Sequence, residues 1–313
     1  MTHGLRAFIA LVAFTTEPSR RVAPILLIDE AEIHLHYDAQ ADLIQMLSRQ
    51  QRAAQVVYTT HSAGCLPQDL GTGVRLVEPN EDQERSSVEN WPWQKGQGFG
   101  PLLLGMGAST LAFVPTRAAL IAEGGSEVVL LPVLIREAVG AEALDFQVAP
   151  GVAEASRATI ARIDLQGNKV AWLVDGDDGG AENRSYLQSS GIPPERIFTL
   201  GGPGSGLTTE DLVQVDAFVD AVNEELRRSH GEDAAVLAVE NVPSPGRWLR
   251  LEKWCGAEAL AVPNKGTVAH RIADQRSERN VVATERAGML RELHDGLAQI
   301  FAASADGGTA EHA

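Results

Sequence analysis

Residues 118–127 read AALIAEGGSE and residues 169–178 read KVAWLVDGDD, and the fold is decided by these two strings. Each is an apolar run that ends abruptly in carboxylates, Glu123 and Glu127 in the first and Asp175 and Asp177 in the second. An apolar run of this length, followed by glycines and then a helical pattern, predicts a buried parallel strand entering a helix. In such sheets the loops at the carboxyl ends of the strands line the ligand crevice, so two strands deliver four carboxylates to one edge. Carboxylate oxygens gathered in this way suit hard divalent cations, Mg²⁺ or Mn²⁺. Gly124 and Gly125 permit a tight turn, and Ser126 is a candidate N-cap for the helix EVVLLPVLIREAVG, which puts Glu127 in the first turn. Asp175 and Asp177, two residues apart, point to one side of an extended segment, and Gly176 between them leaves room for a metal or phosphate.

The Glu-Gly pair after one strand and the Asp-x-Asp after a later one, here Glu123-Gly124 and Asp175-Gly176-Asp177, resemble the TOPRIM domain. That fold serves nucleotidyl transfer and DNA cleavage in topoisomerases, primases and several nucleases. An acid four residues after the first Glu, here Glu127, is typical of the nuclease branch. The resemblance also implies a third acid near Glu210, a residue that helix capping explains nearly as well, and a phosphate-neutralising lysine at Lys265 in PNKGTVAHRIADQ.

Around these strings the pattern alternates strand and helix. FQVAPG (146–151) reads as a strand, EASRATIARIDLQG as a helix, AENRSYLQSSG as a helix after DGDD, and RIFTL as a strand. The order predicts a doubly wound parallel sheet. Thr209 is the candidate N-cap of a helix running through EDLVQVDAFVDAVNEELRR.

Upstream lies a second signature. VAPILLIDE is a strand ending at Asp29-Glu30, AEIHLHYDAQADLIQMLSRQQ an amphipathic helix, and QVVYTTHS a strand ending near His61. These resemble the second half of an ABC-type ATPase: Asp29 matches the Walker B acid, Glu30 the general base, His34-Leu35-His36 the D-loop region and His61 the switch histidine. THGLRAF (2–8) resembles a remnant of the signature segment. No G-x-x-x-x-G-K-[ST] string occurs, and GGPGSG (201–206) lacks the Lys-Ser/Thr that a phosphate loop requires. Either an upstream segment or a partner chain supplies the P-loop half, or ATP hydrolysis has been lost, and the chain alone is expected not to turn over ATP.

An ATPase half followed by a TOPRIM domain is similar to the OLD (overcoming lysogenization defect) family of ATP-dependent endonucleases. The resemblance implies an α/β architecture with a partial ATPase domain (1–97) and a TOPRIM nuclease domain (118–302), and composition adds a connector (98–117) and a small, polar tail (303–313) expected to be disordered. It further implies metal-dependent cleavage of DNA, a homodimer and a role in phage defence or DNA repair.

Composition narrows the rivals. The 313 residues suffice for about two domains, and 44% hydrophobic with 22% charged residues describes a soluble globular chain. No apolar run spans a membrane and no cleavage site follows MTHGLRAFIALVAF, and two cysteines cannot make a disulfide framework, so a reducing cytoplasm is expected. A net charge of −16 argues against a broad basic surface, leaving DNA to be handled through metal and a local cationic patch. Cys65 and Cys255 are too few for a primase-type zinc module. Tyr37, Tyr58 and Tyr186 lie in helices or strands where packing explains them, against a topoisomerase nucleophile. The remaining rival is a non-catalytic TOPRIM or ATPase-like scaffold. Residues 78–117 read as a polar connector in which EDQERSSVE is a solvated loop, and Trp91 and Trp93 are expected to pack between domains in preference to stacking on bases.

Overall fold

The structure, a computed structural model, describes residues 23–30, 32, 35, 37–79, 85–90, 118–150 and 169–306. The connector's residues 98–117, the helix expected at 154–167, and Trp91, Trp93, His34, His36 and residues 2–8 lie outside them. The chain divides into two compact units, and among the described residues the first reaches to Pro67 and the second takes up the chain at Gln68. Both units are α/β with parallel strands.

In the first unit β1 (Ile25–Ile28) pairs in parallel with β2 (Gln55–Tyr58), joined by helix α1 (Tyr37–Arg49). Period-two alternation sends Leu26, Ile28, Val56 and Tyr58 onto Leu43, Ile44 and Leu47 of α1 and onto Cys65. The opposite face bears the exposed Ile25, Leu27 and Val57.

The second unit opens with the short helix α2 (Leu70–Gly73) and the antiparallel hairpin β3 (Leu76–Pro79) and β4 (Ser86–Glu89). The expected solvated loop thus contains a strand: SSVE is exposed, but its backbone pairs with LVEP. The unit's main sheet holds β5 (Ala118–Ala122), β6 (Gln147–Pro150), β7 (Lys169–Val174) and β8 (Ile197–Thr199), all parallel, in the order β6-β5-β7-β8. The chain leaves β5 for one side and reaches β7 on the other. The boundary between β5 and β7 is therefore the topological switch point, where the crevice of an open parallel sheet forms.

Helix α3 (Gly125–Val139) follows β5 and is buried over most of its circumference, as its nearly uninterrupted apolar sequence requires. Gly71 of α2 is why residues 68–79 belong with this unit. A Cβ there would lie 2.4 Å from the Val128 carbonyl oxygen and 2.6 Å from the Val129 Cα, so only glycine permits the approach. The Asp69–Arg136 ion pair, 2.9 Å, ties the same segment to α3.

The remaining helices are α4 (Asp178–Ser189), α5 (Val215–His230), α6 (Arg247–Ala257), α7 (Lys265–Gln275) and α8 (Ala287–Asp306). Helix α8 extends three residues past 303 into the stretch expected to be disordered. The helix expected from Thr209 is divided instead. Thr208 caps a 3-10 turn, Thr209–Leu212, and α5 starts only at Val215. The chain between them is drawn out because Val213 bridges Val282, Gln214 N–H donates to the Val281 carbonyl, and Ala283 N–H donates to that of Leu212. Among the described residues no helix is long and apolar enough to cross a membrane.

Candidate functional site

Four carboxyl groups of the second unit act on one another at the carboxyl edge of its sheet. Glu123 follows β5 and Asp175 follows β7, and since these strands are hydrogen-bonded neighbours their ends meet: the Asp175 N–H donates to Glu123 Oε1 at 3.1 Å. Glu127 reaches back from the first turn of α3 to accept the Gly124 N–H at 2.8 Å and the Ser126 hydroxyl at 3.0 Å. The cap is thus Gly124, and Ser126 lies inside the turn. A glutamate at the third helical position satisfies the entering backbone amide by itself, which leaves the serine hydroxyl free to orient the carboxylate.

Glu210 arrives on the 3-10 turn, 2% exposed, accepting from the Thr208 hydroxyl at 3.0 Å. Lys265, the first residue of α7 behind the cap Asn264, brings a cation to these acids. Its Nζ lies 3.0 Å from Glu210 Oε1 and 3.8 Å from Glu127 Oε1.

Burial, followed by the charges of Glu127, Glu210 and Glu123, pushes the Asp175 carboxyl up to about 9, with Lys265 opposing. Burial works to lower the Lys265 ammonium but is outweighed by Glu210 and Glu127, which hold it above its ordinary value. At neutral pH Asp175 therefore holds its proton, and among the described residues Lys265 is the cation that opposes the shift.

Asp177 does not join this group in the same way. Its Oδ1 caps α4 by accepting the Gly180 N–H at 2.9 Å, and its side chain is exposed. Nor does Gly176 open space for a ligand. A Cβ on it would fall 2.0 Å from Ser205 Oγ and 2.4 Å from the Leu200 carbonyl oxygen, because the 200–207 loop folds over it. The Gly176 N–H donates to the Leu207 carbonyl at 2.7 Å, and the Gly206 N–H to that of Gly176 at 2.9 Å. The glycine serves the turn itself.

Two residues that the sequence did not single out fasten the site. Asp211 accepts the N–H groups of Thr208, Gly246 and Arg247 at 3.0, 2.9 and 3.3 Å. Arg247, 3% exposed, donates from Nη1 to the carbonyls of Glu210 and Val213, each at 2.7 Å. A buried arginine whose Nε and Nη1 donate to main-chain carbonyls, those of Val242, Glu210 and Val213, is a clamp. A charged residue at a helix start gives no sign in sequence of such a role.

In the first unit Asp29 lies just beyond β1 and accepts the Thr59 hydroxyl at 2.6 Å. The same hydroxyl accepts the Glu30 N–H at 2.8 Å. Glu30 adopts φ 47°, a left-handed conformation unusual outside glycine, and such conformations gather at functional sites. The His61 N–H donates to Glu32 at 2.6 Å. Thr59 and Glu32, unremarked in the sequence, thus connect the two strand ends that bear Asp29, Glu30 and His61.

Tyr58 donates its hydroxyl to the Cys65 carbonyl at 2.7 Å, and burial raises the phenol above its ordinary value, the reverse of an activated nucleophile. Burial likewise raises both thiols, that of Cys65 to about 11.

A family model described as AAA domain, putative AbiEii toxin, Type IV TA system, matches residues 4–66. That stretch contains Asp29, Glu30 and His61, so the first unit carries a segment similar to AAA-type domains. No match to the chain is found among curated proteins.

Proposed function

We propose that the second unit is a TOPRIM-type, divalent-metal-dependent DNA endonuclease of the OLD kind, in a chain whose ATPase module is incomplete. The observation that carries this reading is the convergence of Glu123, Glu127, Asp175 and Glu210 with Lys265 at the switch point of a parallel sheet. A structural ion pair would need one carboxylate for one ammonium; among the described residues the acids outnumber the cation, and one of them is driven to hold its proton.

The donor set fits Mg²⁺ or Mn²⁺ by its chemistry, oxygen without thiol or imidazole. Among the described residues no three acidic, His or Cys side chains stand at metal-ligating spacing, so the carboxylates are a reservoir of ligands rather than a finished shell. Glu123, Glu127 and Asp175 would hold the ion, with Glu210 and Asp177 as further ligands. Such an ion, once bound, polarises the phosphodiester and lowers the pKa of water.

The chain's own residues do the rest. Asp175 would release its proton to solvent on taking up such an ion. Lys265 turns its ammonium from Glu127 and Glu210 to a non-bridging phosphate oxygen, where it neutralises charge that grows in the transition state. Asp211 and Arg247 keep Glu210 fixed while this happens.

For the first unit we propose a nucleotide-responsive role, with Asp29, Glu30 and His61 acting on ATP only when a P-loop half is supplied by a partner chain or another segment. DNA as substrate and a homodimer belong to the same reading. A second reading, a non-catalytic module that docks on such a partner, is favoured by the bare face of Ile25, Leu27 and Val57. Nicking of supercoiled plasmid with Mn²⁺ or Mg²⁺ separates the two: loss of nicking in Asp175→Ala supports the nuclease, and an inert wild-type chain supports the module.

A further inference from the structure

Beside the acids stands an aromatic residue to which neither the family match nor the nuclease reading gives a role. Trp248 is the second residue of α6, and its indole lies 5.8 Å from Lys265 Nζ, measured to the ring centroid. That is within the range at which an ammonium is attracted to the face of an indole. The ring is fixed on two other sides. Phe218 of α5 meets it edge-on, centroids 6.3 Å apart at 83°, and its N–H donates to Glu252 one turn along α6 at 3.0 Å. With its polar atom satisfied and its edge wedged, the indole cannot turn away from the lysine at low cost.

The helix is as well fixed as the ring. Arg247, the preceding residue, is clamped to the carbonyls of Glu210 and Val213, and Asp211 takes the amides of Gly246 and Arg247. The turn that bears Glu210 and the helix that bears Trp248 are thereby one rigid piece, and Lys265 reaches both. Its ammonium has anionic neighbours on one side and an aromatic wall on the other.

We propose that Trp248 is a positioning residue that seats the Lys265 ammonium at the carboxylate site, holding it there when the acids are taken up by a cation. The inference rests on the nuclease reading for its catalytic consequence, though not for the contact itself. An ammonium released by Glu127 and Glu210 onto water would lose its position. An ammonium that retains an indole face stays within reach of a phosphate, and a preorganised charge costs little reorganisation during reaction.

The chain has four lysines, Lys95, Lys169, Lys253 and Lys265, so protein grown with ¹³C-lysine gives a countable set of side-chain resonances. Lysine 265 is identified by its disappearance in Lys265→Arg. Its Hε protons are expected upfield of the other lysines through the ring current of Trp248, to return to the common position in Trp248→Leu, and to keep part of the displacement in Trp248→Phe. The Phe variant, which preserves the contact with Phe218, covers the case in which Leu does not fold. In plasmid nicking, Trp248→Leu lowers kcat roughly three- to tenfold with KM unchanged, the size expected for one partly buried cation–aromatic contact. A Lys265 resonance that ignores Trp248→Leu in a folded protein overturns the proposal. If the wild-type chain does not cleave DNA the nuclease reading fails, and the resonance alone still decides whether Trp248 seats the lysine.

Discussion

Replacing Asp175 by Asn should stabilise this protein, and the more so the higher the pH. The folded carboxyl is raised to about 9 by burial and by Glu127, Glu210 and Glu123, whereas an aspartate in the unfolded chain titrates near 3.9. Between those values the folded state binds a proton that the unfolded state has released, so stability falls as pH rises, by at most about 1.4 kcal/mol for each pH unit. The stability is fully present below about pH 4 and is lost progressively up to about pH 9.

Asparagine keeps the shape and removes the titration. The two proteins should differ little at pH 4, by about 1–2 kcal/mol at pH 5 and by several kcal/mol at pH 8, when chelator is present. For a unit of this size about 1 kcal/mol moves Tm by roughly 2–4 °C. The assay is a series of thermal melts of both proteins from pH 5 to pH 9 in EDTA, repeated with Mn²⁺. The gap in Tm is expected to widen with pH in EDTA and to close with Mn²⁺, because a cation that binds only the wild-type site stabilises it by mass action. Parallel Tm curves for the two proteins across the whole range would refute the reasoning.

Further variants test the rest of the architecture. Gly71→Ala drives a Cβ to within 2.4 Å of the Val128 carbonyl. The expected loss is about 1–3 kcal/mol in thermal or urea unfolding, with proteolysis beginning between residues 68 and 79; an unchanged Tm would detach this segment from α3. Asp177→Ala removes the cap of α4 and should cost about 1 kcal/mol by urea denaturation, whereas Asp177→Ser retains the cap. The Ser variant should also keep more nicking activity than Asp175→Ala, and equal loss in the two would make Asp177 a ligand of the same rank.

The parts of the fold that sequence revealed are those where one local signal governs. The apolar runs of β5 and β7, each ending in acid and glycine, could only be buried strands, and the sheet formed between them follows. Glu123 and Asp175 were legible for the same reason: residues that end neighbouring parallel strands must meet. Lys265 and Glu210 came from resemblance alone, since nothing local distinguishes them from a surface lysine and a helix-capping acid. The structure brings them within 3.0 Å through two elements 55 residues apart.

What sequence obscured was set by distant contacts. The helical pattern after Thr209 was read correctly as to type, but the start fell too early because Val213 is held by Val282. β4 was hidden because SSVE is polar and exposed, its backbone pairing leaving no apolar alternation to detect. Gly176 was misjudged as space for a ligand when its room is filled by Ser205 and Leu200. Arg247 and Trp248, adjacent in an unremarkable charged helix, became visible only once Glu210 and Lys265 lay beside them.

The central claim is that these carboxylates cleave DNA. Its most direct measurement is the nicking of supercoiled plasmid by the full chain with Mn²⁺ or Mg²⁺, with and without ATP, alongside Asp175→Ala. The account predicts metal-dependent nicking that is abolished in the variant, although the variant's melting in EDTA is no lower than that of the wild type. Nicking that persists in Asp175→Ala, or a wild-type chain that leaves the plasmid intact under every metal and nucleotide condition, would contradict it.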